Sequence, residues 1–212
     1  MTKKALLGLI VLLGIAAVAQ EFPRAEVAGM YSYVRFAPAA KYANGLNMNG
    51  GGGSLTINFN DALGIKAELD GFAQSKTTFT IPAGAAFAPA GGKLTASGNL
   101  FTYLFGPQVK FRSEKLHPYV HALFGGAHSS LWGNFYKACT GVCTTVSAAP
   151  SGNAFAMALG GGLDIPVSQL ISIRVGQLDY LLTRFSNVVA TNNQNNFRYS
   201  AGVVFSFGNT SQ

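Results

Sequence analysis

The sequence predicts an all-β chain, an eight-stranded antiparallel up-and-down transmembrane β-barrel, and three observations carry that prediction. Short segments in which apolar and polar residues alternate strictly recur along the chain. The connections between them are alternately long and short. Charged residues are only 11% of the sequence, against about 25% in an ordinary soluble domain. Yet beyond residue 19 no segment approaches the ~18 consecutive apolar residues of a membrane helix. Few charges, with apolar residues spread over alternate positions, suit strands that face lipid on one side. A soluble β-sandwich would alternate too, but it would not account for aromatic outer faces, loop asymmetry and low charge together.

The N-terminus supplies the route to a membrane. Lys3 and Lys4 precede an apolar run from Ala5 to Ala19, and Ala17-Val18-Ala19 offers a small-x-small cleavage site. Residues 1–19 are therefore expected to be a signal peptide cut after Ala19, and no cysteine follows that site to carry a lipid anchor. The remaining chain divides into a short segment (20–25), a barrel (26–208) and a short tail (209–212). Without Lys3 and Lys4 the net charge of +7 falls to +5, too mild and too scattered for nucleic acid.

The first strand spans Val27 to Phe36, with apolar residues on both faces, so its inside cannot be told from its outside. Ala37 to Gly53 has loop composition and ends in four glycines. Ser54 to Phe59 sets Leu55, Ile57 and Phe59 against Ser54, Thr56 and Asn58, and Asn60-Asp61 supplies a turn. Leu63 to Phe72 puts Lys66, Glu68 and Asp70 on one face and Leu63, Ile65 and Leu69 on the other. Residues 73–97 read as a long loop rich in Thr, Ala, Pro and Gly.

Asn99 to Arg112 carries Phe101, Tyr103, Phe105, Val109 and Phe111 opposite Thr102, Gln108, Lys110 and Arg112. Pro107 removes a ladder donor, so an irregularity is expected there. Pro118 to Trp132 is a fifth strand. Asn153 to Ile165 faces Phe155, Met157, Leu159 and Leu163 one way and Ala154, Ala156, Ala158, Gly160 and Gly162 the other. An interior lined by so little has to be filled from across the barrel. In Leu170 to Thr183 the apolar phase changes after Val175, which predicts a bulge at Val175-Gly176 and turns Arg174, Gln177 and Asp179 inward. The last strand, Phe197 to Phe207, alternates aromatic and apolar with small or polar residues.

Taken with Tyr103-Leu-Phe-Gly-Pro107, the basic turn after it, Pro118-Tyr119 and the aromatic final strand, the pattern resembles the small eight-stranded outer-membrane β-barrel family over residues 26–207. That resemblance implies a bacterial outer-membrane location, short periplasmic turns, longer external loops and no cofactor. The final strand, with Tyr199, Val203, Phe205 and Phe207, is similar to the signal read by the barrel-assembly machinery. No peptidoglycan-binding domain is expected after it.

An eight-stranded barrel has an interior that side chains can fill. The inward charges are expected to be Lys66, Glu68, Asp70, Lys110, Arg112, Asp164, Arg174, Asp179 and Arg198. Paired with one another they would close the lumen, giving a structural or surface-interaction protein. Arranged as a path they would make a narrow channel. A lipid A-modifying enzyme would need His128 and Ser130 as a His-x-Ser pair completed by an acid, for which Asp179 is the nearest carboxylate. Cys139 and Cys143, exported and without further metal ligands, favour a disulfide. The glycine clusters at 50–53 and 160–162 do not sit between a strand and a helix and so are not phosphate loops. Lys41, Lys76, Lys93, Lys137 and Arg184 fall in or beside the long loops, where no acid does. Outer-membrane lipid and lipopolysaccharide are the expected partners of a monomer.

Overall fold

The computed structural model describes residues 22–36, 46–81, 92–129, 139–140, 152–185 and 193–209. The strands are β1 (Pro23–Phe36), β2 (Leu46–Asn58), β3 (Leu63–Ile81), β4 (Gly92–Lys110), β5 (His117–Ser129), the two-residue β6 (Cys139–Thr140), β7 (Gly152–Pro166), β8 (Ile171–Arg184) and β9 (Gln194–Asn209). Every neighbouring pair is antiparallel, and the eight long strands form a ring: β9 pairs with β1 and β3 with β4, so the sheet closes. β6 adds to the edge of β4 at Lys93 and Leu94.

Short turns gather at one end, and their side chains explain why they are tight. Asn60 Oδ1 accepts the N–H groups of Ala62 and Leu63 at 2.9 and 2.7 Å, while Phe59 N–H reaches Leu63 O at 2.9 Å. Ser168 Oγ similarly accepts the N–H of Ile171 at 3.1 Å. The opposite ends of the strands, between which the longer stretches of sequence run, form the end that faces outward in an outer-membrane barrel.

Several boundaries differ from the sequence expectation. β1 begins at Pro23, inside the segment expected to precede the barrel, and β9 continues to Asn209, inside the expected tail. β2 begins at Leu46 and incorporates all four glycines at 50–53. The reason is steric: a Cβ on Gly52 would collide with the Asp70 carboxylate, and one on Gly50 with the Gly71 carbonyl. Close approach in the barrel wall, rather than turning, demands these glycines. The β3–β4 hairpin extends to Ile81↔Gly92, through much of the stretch read as loop, with a register shift between Gln74 and Thr77. Thr-rich sequence pairs well as strand, which loop composition had masked. Residues 1–21 and 130–132 lie outside the described residues, as do the signal-peptide site and the expected end of the fifth strand.

The bulge in β8 is present. On the β7 side Leu163 pairs with Gly176 and Asp164 with Arg174, skipping Val175; on the β9 side the register shifts between Arg174 and Gln177. Both Val175 and Leu178 consequently face outward, and Arg174, Gln177 and Asp179 face in. At Pro107 the outcome is milder. Its pairing with Ile65 on β3 is unbroken, and the β4–β5 ladder skips Gly106 and Pro107 before resuming in the same register at Gln108↔His121.

Outward faces are apolar, with Phe105 64% and Leu159 43% exposed. Inside, the lumen is divided by height. Its outer half holds an apolar cluster of Val34, Met48, Phe72, Leu100, Leu104, Leu123, Leu181 and Phe185 against Ala127, Ala156 and Ala158. The branched side chains of β4, β5 and β8 fill the space that the small residues of β7 leave. The inner half is ionic.

Candidate functional site

Strand alternation aims the charged residues of six strands into one narrow space, where they form two linked layers. Nearer the short turns, Glu26 on β1 receives Lys110 at the end of β4 and Arg112 just beyond it, the latter at 2.7 Å. Lys110 also reaches Asp164 on β7 at 2.9 Å, and Arg174 on β8 grips the same carboxylate with Nε and Nη2 at 2.8 and 3.1 Å. In the upper layer, Arg198 on β9 donates to Glu68, to Asp70 at 2.5 Å, and to Asp179 at 2.6 and 2.8 Å. Lys66 pairs with Glu68 at 2.6 Å. His121 Nε2 lies 2.8 Å from Asp179 Oδ1.

Gln177 joins the layers. Its Oε1 accepts from Lys66 at 2.9 Å, Tyr119 at 2.8 Å and Arg174 at 3.2 Å, and its Nε2 donates to Asp179 at 2.9 Å and Glu68 at 3.1 Å. The Tyr119 ring stands among three cations, with Arg174 Cζ 4.6 Å and Lys66 and Lys110 Nζ each 5.5 Å from its centroid.

All nine residues named from the sequence as inward charges therefore meet in one network; eight are buried, and Arg112 sits at its lower edge with 9% of its side chain exposed. Sequence reasoning did not place Glu26, Tyr119 or His121 in the lumen. Strands one and five carry apolar residues on both faces, so their phase had no anchor. The cations of the network (Lys66, Lys110, Arg112, Arg174, Arg198) equal its carboxylates (Glu26, Glu68, Asp70, Asp164, Asp179) in number. That balance is what lets so many charges leave water.

The other candidates separate. His128 is exposed on the outer face of the wall, its Nδ1 2.8 Å from Asn153 Oδ1. Asp179 lies inside the lumen, held by Arg198 and His121, so the wall divides the supposed His–acid pair; strand parity decides this. Ser130 lies outside the described residues. Cys139 belongs to β6, and Cys143, with the expected disulfide, lies outside the described residues. Lys76 and Lys93 fall within β3 and β4 rather than in loops, Arg184 ends β8, and Lys41 and Lys137 lie outside the described residues. Tyr199, Val203, Phe205 and Phe207 all project outward from β9.

Residues 5–207 match the model of the outer membrane protein beta-barrel domain family. The chain belongs to that family. Solved structures with the same fold include Neisserial surface protein A, at 15% identity and a TM-score of 0.57, with 89% of this chain and 100% of that one covered. The attachment invasion locus protein Ail of Yersinia pestis aligns at 13% identity and a TM-score of 0.51, again over 89% and 100%. A second Ail structure, in complex with the heparin analogue sucrose octasulfate, aligns at 14% identity and a TM-score of 0.50, with the same coverage. A comparison with curated proteins finds no match. At these identities the likeness is one of fold, and it places this outer-membrane barrel among small closed barrels.

Proposed function

We propose that this outer-membrane barrel acts through the surface it presents outward, as a structural or surface-interaction protein whose lumen is sealed against solutes. The observation that carries the reading is the filled lumen: a charge-balanced ionic network in the inner half and an apolar cluster above it. A solute would have to break buried ion pairs and then cross a dry segment. Planar-bilayer recording tests this directly. The purified barrel is expected to give no steady conductance, and steady nanosiemens-scale openings would replace this reading with that of a narrow channel.

Lipopolysaccharide and other anionic surface molecules are the partners that fit. All eight acids of the sequence lie in the lumen strands, in the short turns or before β1, while Lys76, Lys93 and Arg184 lie in β3, β4 and β8, and Lys41 and Lys137 fall in the sequence between β1 and β2 and between β5 and β6. Ail's complex with a sulfated sugar offers a parallel within the fold.

A further inference from the structure

The outer face of the wall carries a polar collar close to its outward end. Going round the barrel, the collar is Asn47 on β2, Arg35 on β1, Asn195 on β9, Arg184 on β8, Asn153 on β7 and His128 on β5, all exposed. Arg35 pairs directly with Asn47, and His128 with Asn153. Asn195 stands opposite Leu182, two residues from Arg184, which in turn stands opposite Phe155, two residues from Asn153. Neighbouring collar residues are thus direct or diagonal cross-strand partners.

The hydrogen bonding of the collar has one sense. Tyr33 donates to Asn47 Oδ1 at 2.9 Å, and Tyr180 to Asn195 Oδ1 at 2.6 Å. His128 Nδ1 engages Asn153 Oδ1 at 2.8 Å, so that nitrogen is the donor. An asparagine amide has one oxygen and two N–H groups. With each oxygen engaged by a ring from the same collar or the turn of strand below it, the N–H groups are left to face away, and among the described residues they make no hydrogen bond. Two guanidinium groups and a row of amide donors therefore share one level of the wall. No carboxylate accompanies them, because the acids of the described strands are in the lumen and in the short turns.

We infer that this collar binds the phosphate groups of lipid headgroups packed against the outer wall. The inference rests on the outward-surface reading above and names the partner of one part of that surface. Guanidinium and amide N–H donors match phosphate oxygens in charge and geometry. The level is that of a headgroup: just below the collar stand the exposed rings of Tyr180, Phe155 and Phe197, and amphipathic aromatic rings settle at the membrane–water interface. The collar also looks sideways into lipid rather than along the barrel axis, so a lipid reaches it more directly than a soluble polyanion.

The test compares the wild-type barrel with the triple variant Arg35→Gln, Arg184→Gln, Asn153→Leu. Both are reconstituted in phosphatidylcholine vesicles doped with lipid A or with dephosphorylated lipid A, and bound glycolipid is counted by native mass spectrometry after extraction. Retention of the heated-versus-unheated gel shift shows that the variant is folded. The wild type is expected to prefer phosphorylated lipid A, and the variant to lose about tenfold or more of that affinity without change toward the dephosphorylated form. Equal retention by both proteins, or no dependence on the phosphates, would overturn the inference. So would a variant that keeps lipid A but loses soluble sucrose octasulfate, because the collar would then serve a soluble polyanion. Lys41, Lys76, Lys93 and Lys137 are untouched, so failure of the collar leaves the outward-surface reading standing, and a conducting pore would leave the collar standing.

Discussion

Replacing Arg198 by methionine isolates what the lumen network contributes. Its guanidinium is fully buried and serves Glu68, Asp70 and Asp179, carboxylates from two other strands. Methionine fills much of the same volume but strands three carboxylates with Lys66 as the one remaining cation in contact with any of them. Two unit charges ~4 Å apart interact by about 4 kcal/mol at an effective dielectric of about 20, and breaking one partner out of a buried pair costs about 3–5 kcal/mol in measured systems. A loss of about 3–5 kcal/mol is therefore expected in urea unfolding from phosphatidylcholine vesicles, with the gel shift disappearing at a lower temperature. Adding Asp70→Asn makes cations and carboxylates equal in number again, leaves the Lys66–Glu68 pair intact and should restore a large part of the loss. A single-variant loss below about 1 kcal/mol, or no recovery in the double variant, would refute the view that charge compensation, rather than packing alone, holds this lumen.

The same unfolding assay checks two further expectations. Phe105→Arg, on the most exposed of the described lipid-facing rings, should cost about 2–4 kcal/mol if it lies near the midplane, whereas Phe105→Leu should stay near the wild type; equal effects would mean that this face does not meet lipid. Gly52→Ala should cost about 1–3 kcal/mol, because its methyl group meets the Asp70 carboxylate. Gly29→Ala on the adjacent strand, whose added Cβ meets nothing within 4 Å, should change stability by no more than about 0.5 kcal/mol.

Strand order and the inward charges were readable because each rests on period-two alternation. Lys66, Glu68 and Asp70 are three successive charges of one parity, and the phase change after Val175 announces its own bulge. Where both parities are apolar the rule has nothing to act on, and so Glu26, Tyr119 and His121 were not placed in the lumen. A second failure has a different origin. Alternation equates apolar with outward, but Leu123 and Leu181 are apolar and fully buried in the lumen, since the outer half of this barrel is packed like a soluble core. Composition misled at Gly50 to Gly53 and at residues 74–81, where glycine and threonine serve close approach and pairing instead of turning. The collar was invisible in sequence because its members come from six strands and only register brings them level.

The reach of Arg198 also bears on how the barrel is put together. Its carboxylate partners on β3 precede it by 128 and 130 residues, and nothing on β1 or β2 supplies a cation in their place. A sheet lacking its last strand would hold Glu68 and Asp70 with only Lys66 to answer them, on a surface about to lose its water. Only a ring closed by β9 brings these two carboxylates the guanidinium that lets them leave water, so closure of the wall and neutralisation of the lumen are one event.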